Sequence, residues 1–397
     1  MPSRQNKENR APSPMGSGQS SILEATKRQL LGKRKERSGA NENHGHSDDE
    51  DNNEYDIGPP KKIAKTNELV SYGRHFGRTV HTFCHLQTLL TEGQNRINEL
   101  TLRGVGPEHL SPIEQRDHKI FNKLINMVPE LEDQLWDENT TAEDKKHIAD
   151  MVNKGVKGAR ADDTKGLKSA LVDLVTPPNS VLRPPLSQGN KNGRGFLHEE
   201  TGKYLCPTDY DWSDPSIKQK LRLAEIIPTL DQWPIFLYEG LKFNPEDPWQ
   251  GLLKGHLMVQ AFKYIFTSPS SVDGEARATR SGNAALHGMK RVTAASLVYI
   301  ATLVRFSLSN SAAFTLHDKV MNHEAFYYGL LAFLDDAHEQ EEVNKLLTWW
   351  DELIFPGQSL VGRKRVPRTS ALASLQERRR KILQGKSQPA TEVGLSS

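Results

Sequence analysis

The amino-acid sequence predicts a mostly α-helical core flanked by charged tails. Apolar residues recur at helical intervals along the central part of the chain, and helix-starting signals precede several of these runs. The clearest run combines Val343, Leu346, Leu347, Trp350, Leu353 and Ile354, just before Pro356. Both ends, by contrast, are rich in charge and poor in aromatic side chains. These observations indicate a multi-helical globular core.

The composition of the ends sets the expected domain limits. Residues 1–67 cannot bury enough apolar surface to offset the entropy of ordering, so they are predicted to be disordered. Residues 68–356 form the predicted helical core, and residues 357–397 form a basic, largely disordered tail. A core of this length can bury a hydrophobic interior without disulfides or metals. No cofactor is predicted for it.

Charge is divided unevenly along the chain. Of 52 Lys/Arg and 50 Asp/Glu residues, residues 1–67 hold 12 and 10, and residues 357–397 hold nine and two. The remaining 31 and 38 give the core a net charge of about −7, and the C-terminal tail carries about +7. An acidic core disfavours a large nucleic-acid groove on the folded part, whereas the basic tail could bind nucleic acid.

Cysteine usage and hydropathy indicate a soluble, intracellular protein. Only Cys84 and Cys206 occur, and no apolar segment follows Met1, so a secreted disulfide scaffold is not expected. The stretch Val292–Leu316 is long enough to cross a bilayer, but Arg305 lies near its centre among many hydroxyl side chains. A buried central helix over Val292–Leu308 is the better interpretation, and no membrane partner is expected.

Two kinds of signal divide the first half of the core into helices. Ser111, Pro112 and Glu114 combine an N-cap, a proline at the first helical position and a capping-box glutamate. Further on, separate apolar runs at Ile148–Val156 and Leu167–Leu174 predict two helices before Pro177.

The Pro- and Gly-rich residues 177–214 could divide two helical subdomains. Within them, short apolar stretches flank Glu199-Glu200-Thr201-Gly202, and a four-residue connection ending in glycine predicts a small β-hairpin over residues 196–205. Helices are expected to resume after Asp214-Pro215 and again at Asp247-Pro248.

The last helix gives the most specific packing expectation. Trp350 lies in the middle of its apolar stripe and is expected to be buried against the preceding helix, around Tyr327 and Leu331. Trp349 lies about 100° further round the helix and is expected near the edge of the stripe.

The segment His81–His85 contains the best candidate metal ligands. On a helix, His81 and His85 would lie one turn apart with Cys84 beside them, which places three nitrogen and sulfur ligands within reach of one ion. A stable site also needs a fourth ligand or a water, and no such residue is identifiable. Solvated histidines and a packed cysteine explain the segment more simply, so no metal site is predicted.

No linear motif of catalysis or nucleotide binding is present, whether Gly-x-Ser-x-Gly, His-Glu-x-x-His or Gly-x-Gly-x-x-Gly, so catalytic residues stay unassigned.

Arg305, inside an almost uncharged helix, must find a carboxylate or carbonyl groups if it is buried. A structural ion pair or a snorkelling side chain is the simpler interpretation, and a ligand-binding role is the alternative.

Basic clusters in the tails predict nuclear import, with the import machinery as a partner, although such runs can also merely solubilise a chain. Their residues are Lys33, Arg34, Lys35, Lys61, Lys62, Lys65, Arg363, Lys364 and Arg365. Ser47 precedes four acidic residues and resembles a site for an acid-directed kinase.

Several stretches resemble an uncharacterised domain family that is abundant in mushroom-forming fungi. They are Gly195–Cys206 with Pro207, Ile265–Ser271, Trp350 with Ile354-Phe355-Pro356, and Tyr72-Gly73-Arg74. The resemblance covers about residues 70–356 and implies one continuous domain. It implies no activity and no catalytic residues.

Two functional hypotheses follow. The first is a nuclear, non-enzymatic binding or scaffold protein with a helical core and charged ends that engage partners. The alternative is an enzyme whose site is assembled from distant residues, with a nucleic-acid-directed enzyme associated with mobile elements as one option. A deep pocket that gathers Arg305 with carboxylates or histidines would favour the enzyme.

Overall fold

The computed structural model describes residues 67–268, 282–311 and 322–356, all of which belong to one compact unit that begins at residue 64. In these ranges the chain forms α-helices joined by turns and short 3-10 segments, with two isolated β-bridges and no β-strand. The predicted mostly α-helical class is therefore confirmed.

Twelve α-helices occur in the described ranges. They are α1 (Glu68–Thr79), α2 (Leu86–Arg103), α3 (Pro112–Met127), α4 (Leu131–Trp136), α5 (Ala142–Val175), α6 (Glu199–Leu205), α7 (Pro215–Arg222), α8 (His256–Phe262), α9 (Asn283–Leu286), α10 (Ala294–Leu308), α11 (His323–Asp335) and α12 (Gln340–Ile354). A π-helical turn, Lys263–Thr267, extends α8.

The 34-residue helix α5 connects two hydrophobic clusters. Its first half packs with α1–α4 through Ile148, Val152 and Val156, and its second half enters the larger cluster through Leu167 and Leu171. The prediction of two separate helices here was wrong. The apolar pattern lapses between the two runs because the buried residues there are the small Ala159 and a paired aspartate, Asp163, rather than large hydrophobic side chains.

Helices α1 and α5 approach each other closely because glycines face the contact. A Cβ atom on Gly73 would lie 2.1 Å from the Val152 carbonyl oxygen, and one on Gly155 would lie 2.2 Å from that of Val70. Both distances are far inside van der Waals contact, so the backbones meet without intervening side chains. This contact holds the first residues of the core against the middle of α5.

Helix α10 occupies the middle of the larger cluster, as expected for a segment that is apolar nearly all round. All of its residues except Ala294 are buried, and Thr293 and Ser296 form a capping box at its start. None of the helices described here is long and apolar enough to cross a membrane.

Two sequence-based predictions of local structure were wrong. Residues 196–205 form no hairpin: a 3-10 turn at Gly195–Leu197 leads into α6, because the His198 ring accepts a hydrogen bond from the Glu200 backbone and caps the helix. Likewise, no helix starts at Asp247-Pro248; those residues lie in turns, and α8 begins only at His256.

The helix starts predicted at Ser111-Pro112 and at Asp214-Pro215 are confirmed. Ser111 and Glu114 form the capping box of α3, and the Asp214 side chain caps α7 with Pro215 at its first position. The two hydrophobic clusters divide within α5, upstream of residues 177–214. The proposed limits of the domain, 68–356, and of the two tails stay predictions.

Candidate functional site

The segment His81–His85 is not helical, so the premise of the metal hypothesis was wrong. It connects α1 to α2: His81 is buried, and the exposed His85 caps α2 by accepting a hydrogen bond from the Thr88 backbone. The His81 ring lies edge-on to Tyr327, with centroids 5.3 Å apart, and its Nδ1 accepts from the Phe83 backbone. Within the described ranges, no group of three His, Cys, Asp or Glu side chains could hold a metal ion.

Burial moves the pKa of several titratable groups away from neutrality. It lowers the pKa of His81 to about 4, with Arg116 as a further cause, and raises the pKa of Cys84 to about 12. The Cys206 thiol behaves alike, because burial and the nearby Asp211 raise its pKa to about 12. Both thiols are therefore protonated at neutral pH and poor nucleophiles.

A buried ion pair joins α1, α5 and α10. Asp163 accepts from Arg78 Nε at 2.7 Å and from its terminal nitrogen at 2.8 Å, while the Tyr299 hydroxyl donates to the same carboxylate at 2.7 Å. Burial and the Asp163 charge raise the pKa of Tyr299, so its hydroxyl remains a donor. The triad is a structural junction, because all three side chains lie in the protein interior.

Arg305 also has structural contacts. It is 6% exposed, donates to the carbonyl oxygen of Asn322 at 3.2 Å, and lies 4.8 Å from the centroid of the Phe326 ring. It thereby connects α10 to the first turn of α11.

A cleft of about 830 Å³ opens beside α1. Helix α1 forms one wall, α3 a second, and residues 286–293 between α9 and α10 the third. We name these lining residues the α1–α3 cleft: Glu68, Ser71, Tyr72, His75, Thr79, Val80, Lys123, Asn126, Met127, Leu286, His287, Gly288, Met289, Lys290, Arg291 and Thr293. The cleft thus lies where the two hydrophobic clusters meet.

Positive charge predominates in this lining. It contains the three cations Lys123, Lys290 and Arg291 against one carboxylate, Glu68. Burial lowers the pKa of Lys123, and the neighbouring Lys119 lowers it further. A negative group that entered the cleft would offset this repulsion.

Two histidines stack at the wall between α1 and the 286–293 segment. The His75 and His287 rings lie 4.6 Å apart at an interplanar angle of 16°. Burial, followed by the charges of His287 and Arg78, lowers the pKa of His75 to about 4, and burial with Arg78 and Arg74 lowers that of His287. At neutral pH the pair therefore presents uncharged aromatic surface.

These depressed histidine pKa values predict a loss of stability in mild acid. Because the folded-state pKa of His81 lies near 4 and its unfolded value near 6.5, the unfolded chain takes up protons first as pH falls. Stability is therefore full above pH 6.5 and decreases between pH 6.5 and 4, by on the order of 2 kcal/mol for His81 at pH 5. We expect urea unfolding of His81→Asn to show a shallower pH dependence than the unaltered protein.

The exposed His109 supplies the control for this prediction, because its side chain is 54% accessible. The matched substitution His109→Asn shows how far the exchange of an exposed histidine changes the pH dependence by itself. If His81→Asn changes it no more than His109→Asn does, His81 is not the group that titrates.

Sequence reasoning missed the α1–α3 cleft because its residues come from three distant segments. Of the predicted site residues, the nine import residues and Ser47 lie outside the described ranges, so their assignments stay predictions. His81, Cys84 and His85 lie in the connection beside the cleft but do not line it.

Fold and cleft together define an all-α protein with a basic cleft between two hydrophobic clusters. A family model described as a family of unknown function (DUF6698) matches residues 154–355, just over half of the 397 residues. The chain belongs to this family. The match begins inside α5, whereas the resemblance noted in the sequence was expected from about residue 70. Curated proteins and solved structures include no match to the chain.

Proposed function

We propose that this chain is a nuclear, non-enzymatic binding protein, and that its helical core holds an acidic segment of a protein partner in the α1–α3 cleft. The observation that carries this proposal is the charge of the cleft lining, with Lys123, Lys290 and Arg291 against Glu68. The core as a whole is acidic, so a local concentration of cations selects for a negative ligand at this place.

The apolar part of the cleft favours a peptide over an isolated ion. Tyr72, Met127, Leu286 and Met289 contribute hydrophobic surface beside the cations, and the stacked His75–His287 pair is neutral at pH 7. Aromatic and methionine side chains of this kind are enriched at protein interfaces. An acidic segment that also carries apolar side chains would use both kinds of surface.

The titratable groups support binding rather than catalysis. A general acid or base works best with a pKa near the operating pH, and a nucleophilic cysteine needs a lowered pKa. Here the pKa of His75 and His81 is about 4, and that of Cys84 and Cys206 is about 12. A pocket that gathers Arg305 with carboxylates or histidines would have favoured the enzyme alternative, yet Arg305 does not line the α1–α3 cleft and bonds a backbone carbonyl.

Nuclear location rests on the basic clusters at Lys33–Lys35, Lys61–Lys65 and Arg363–Arg365, which the import machinery would bind. The basic C-terminal residues could also bind nucleic acid. A fungal distribution of the family is part of the same proposal and rests on sequence resemblance alone.

The test uses the full chain as a fluorescent fusion in nuclei, followed by nuclease treatment, lysine-directed crosslinking and purification. We expect nuclear fluorescence, and crosslinks from partner peptides rich in Asp and Glu to Lys123 and Lys290. The variant Lys290→Glu with Arg291→Glu should lose most of these partners, because it reverses two of the three cleft cations.

A matched control makes the same charge change elsewhere. Lys220 and Lys242 are exposed and lie outside the cleft, so Lys220→Glu with Lys242→Glu should retain the partners. Equal loss in both variants would contradict a role for the cleft. Partners that disappear on nuclease treatment would favour nucleic-acid binding instead, and a cytoplasmic fusion would overturn the nuclear assignment.

A further inference from the structure

A second, smaller cavity lies along one face of α5 and is independent of the α1–α3 cleft. Its volume is about 310 Å³, and its lining comprises Lys157, Arg160, Ala161, Thr164, Lys165 and Lys168 of α5 with Phe306 of α10. The α5 residues follow the spacing i, i+3, i+4, i+7, i+8 and i+11, which places them along one stripe of the helix. We name this cavity the α5 pocket.

The lining of the α5 pocket is cationic. It holds four cations, and none of its lining residues in the described part of the chain is a carboxylate. Arg160 is fixed in place, because it donates to the Thr82 carbonyl at 2.8 Å and lies 4.8 Å from the Phe83 ring centroid. Burial lowers the pKa of Arg160 despite the opposing influence of Tyr299 and Glu324.

Two buried cations lie directly behind this lining. Arg194 is 0% exposed and donates to three backbone carbonyl oxygens, those of Ser307 at 2.8 Å and of Lys168 and Ser187 at 2.9 Å each. Lys191, 4% exposed, donates to the Phe306 carbonyl.

The partial negative charge at the C-terminus of α10 offsets part of this positive charge, because the carbonyls of Phe306 and Ser307 belong to its last turn. A helix terminus supplies only about half an elementary charge, however, which is less than the full charge of Arg194. Burial accordingly lowers the pKa of Arg194. The four cations of the lining itself therefore favour a bound anion.

Thr164 provides an independent observation. Its hydroxyl oxygen is shielded from solvent and has no hydrogen-bond partner in the described structure. A buried hydroxyl without a partner costs about 1–3 kcal/mol, and such groups call for an explanation such as a bound ion or water. Because Thr164 lines the pocket, an oxyanion there could accept a hydrogen bond from its hydroxyl after a small adjustment of the neighbouring side chains.

We propose that the α5 pocket binds a phosphoryl group, either as free phosphate or on a small molecule, through Lys157, Arg160, Lys165 and Lys168 with the Thr164 hydroxyl as a further donor. A volume near 310 Å³ lies at the lower end of ligand cavities, which suits a small ligand. Every lining residue lies within the part of the chain that matches the family, whereas the α1 and α3 walls of the other cleft lie outside it.

The test is isothermal titration of the full chain with inorganic phosphate and with O-phosphoserine, at constant ionic strength set with chloride. Saturable binding is expected for one or both ligands, and comparison of the two affinities distinguishes the free ion from a phosphomonoester. Serine, which lacks the phosphoryl group, should not bind. Lys157→Gln with Lys165→Gln should weaken binding at least about tenfold, and Thr164→Val about fivefold, equivalent to the loss of one hydrogen bond.

Two controls separate binding from folding. Lys154→Gln changes an exposed lysine of α5 outside the pocket and should leave the affinity unchanged. Thr164→Val without ligand should be at least as stable as the unaltered chain, because the hydroxyl that it removes has no partner. The proposal is overturned if neither ligand binds, if Thr164→Val binds as tightly as the unaltered chain, or if a single-stranded oligonucleotide binds far more tightly and displaces phosphate.

Discussion

Trp350→Ala is expected to lower the free energy of unfolding by about 3–5 kcal/mol, because truncation of a fully buried aromatic ring leaves a cavity in the core. Trp350 is 0% exposed, and its ring centroid lies 5.1 Å from that of Phe262. Since a domain is typically stable by about 5–15 kcal/mol, such a loss is a large share of the total. Urea denaturation measures it directly.

The Trp350 nitrogen adds a polar contribution that a second variant can isolate. Its N–H donates to the carbonyl oxygen of Leu253 at 3.1 Å and thereby ties α12 to the turn before α8. Trp350→Phe retains most of the ring but loses this hydrogen bond, so we expect a smaller loss, about 1–3 kcal/mol.

Trp349 is the matched control for Trp350. It is half-buried, and Lys254 Nζ lies 5.3 Å from its ring centroid. A partly solvated contact of this kind contributes about 1 kcal/mol, so Trp349→Ala should cost much less than Trp350→Ala. Equal losses would mean that α12 is enclosed on two sides, and a small loss for both would make its apolar stripe an exposed surface.

Helical periodicity predicted which face of α12 is buried but not what it contacts. Val343, Leu346 and Trp350 are buried as the 3.6-residue spacing requires, whereas Leu353 at the end of the stripe is 37% exposed. Trp350 belongs to the same hydrophobic cluster as its expected partners Tyr327 and Leu331, but its contacts with the Phe262 ring and the Leu253 carbonyl were not predicted. The choice of partner depends on tertiary packing, which the spacing within one helix does not encode.

Sequence patterns failed at two kinds of position, a tightly packed glycine and a buried aspartate. Residues 196–205 contain a glycine that suggested a turn, but Gly202 lies inside α6, where a Cβ atom would be 2.3 Å from the Trp212 ring. The glycine is therefore required by close packing rather than by chain reversal. Likewise, α5 continues through Asp163, which the apolar pattern treats as a gap.

Neither candidate site could be predicted from linear motifs. The α1–α3 cleft joins residues more than 200 positions apart, and the α5 pocket depends on Phe306 and on the buried Arg194 behind it. The stripe of cations on α5 was visible in the sequence, but a charged helix face is usually only solvated. Its distinctive features are the buried cations and the shielded Thr164 hydroxyl, and these require the fold.

Asp163→Asn is expected to destabilise the protein by about 3–5 kcal/mol, because it leaves the buried Arg78 guanidinium without a compensating charge. The side chains of Arg78 and Asp163 are 2% and 7% exposed, and two hydrogen bonds join them. Asparagine keeps the shape of the aspartate but can accept only through one oxygen. The carboxylate also accepts from Tyr299, so the change weakens the junction of α1, α5 and α10.

The adjacent residue provides a control with the same chemistry in a different environment. Asp162 pairs with Arg74 at 2.8 Å, but these side chains are 67% and 30% exposed. Exposed pairs contribute about 0–1 kcal/mol, so Asp162→Asn should change the free energy of unfolding little. Replacement of both Arg78 and Asp163 by apolar residues of similar volume should cost less than Asp163→Asn alone, because no unpaired charge then remains buried. Equal effects of Asp162→Asn and Asp163→Asn would show that water reaches the Arg78–Asp163 pair, and the tight contact of α1 with α5 would then depend on Gly73 and Gly155 instead.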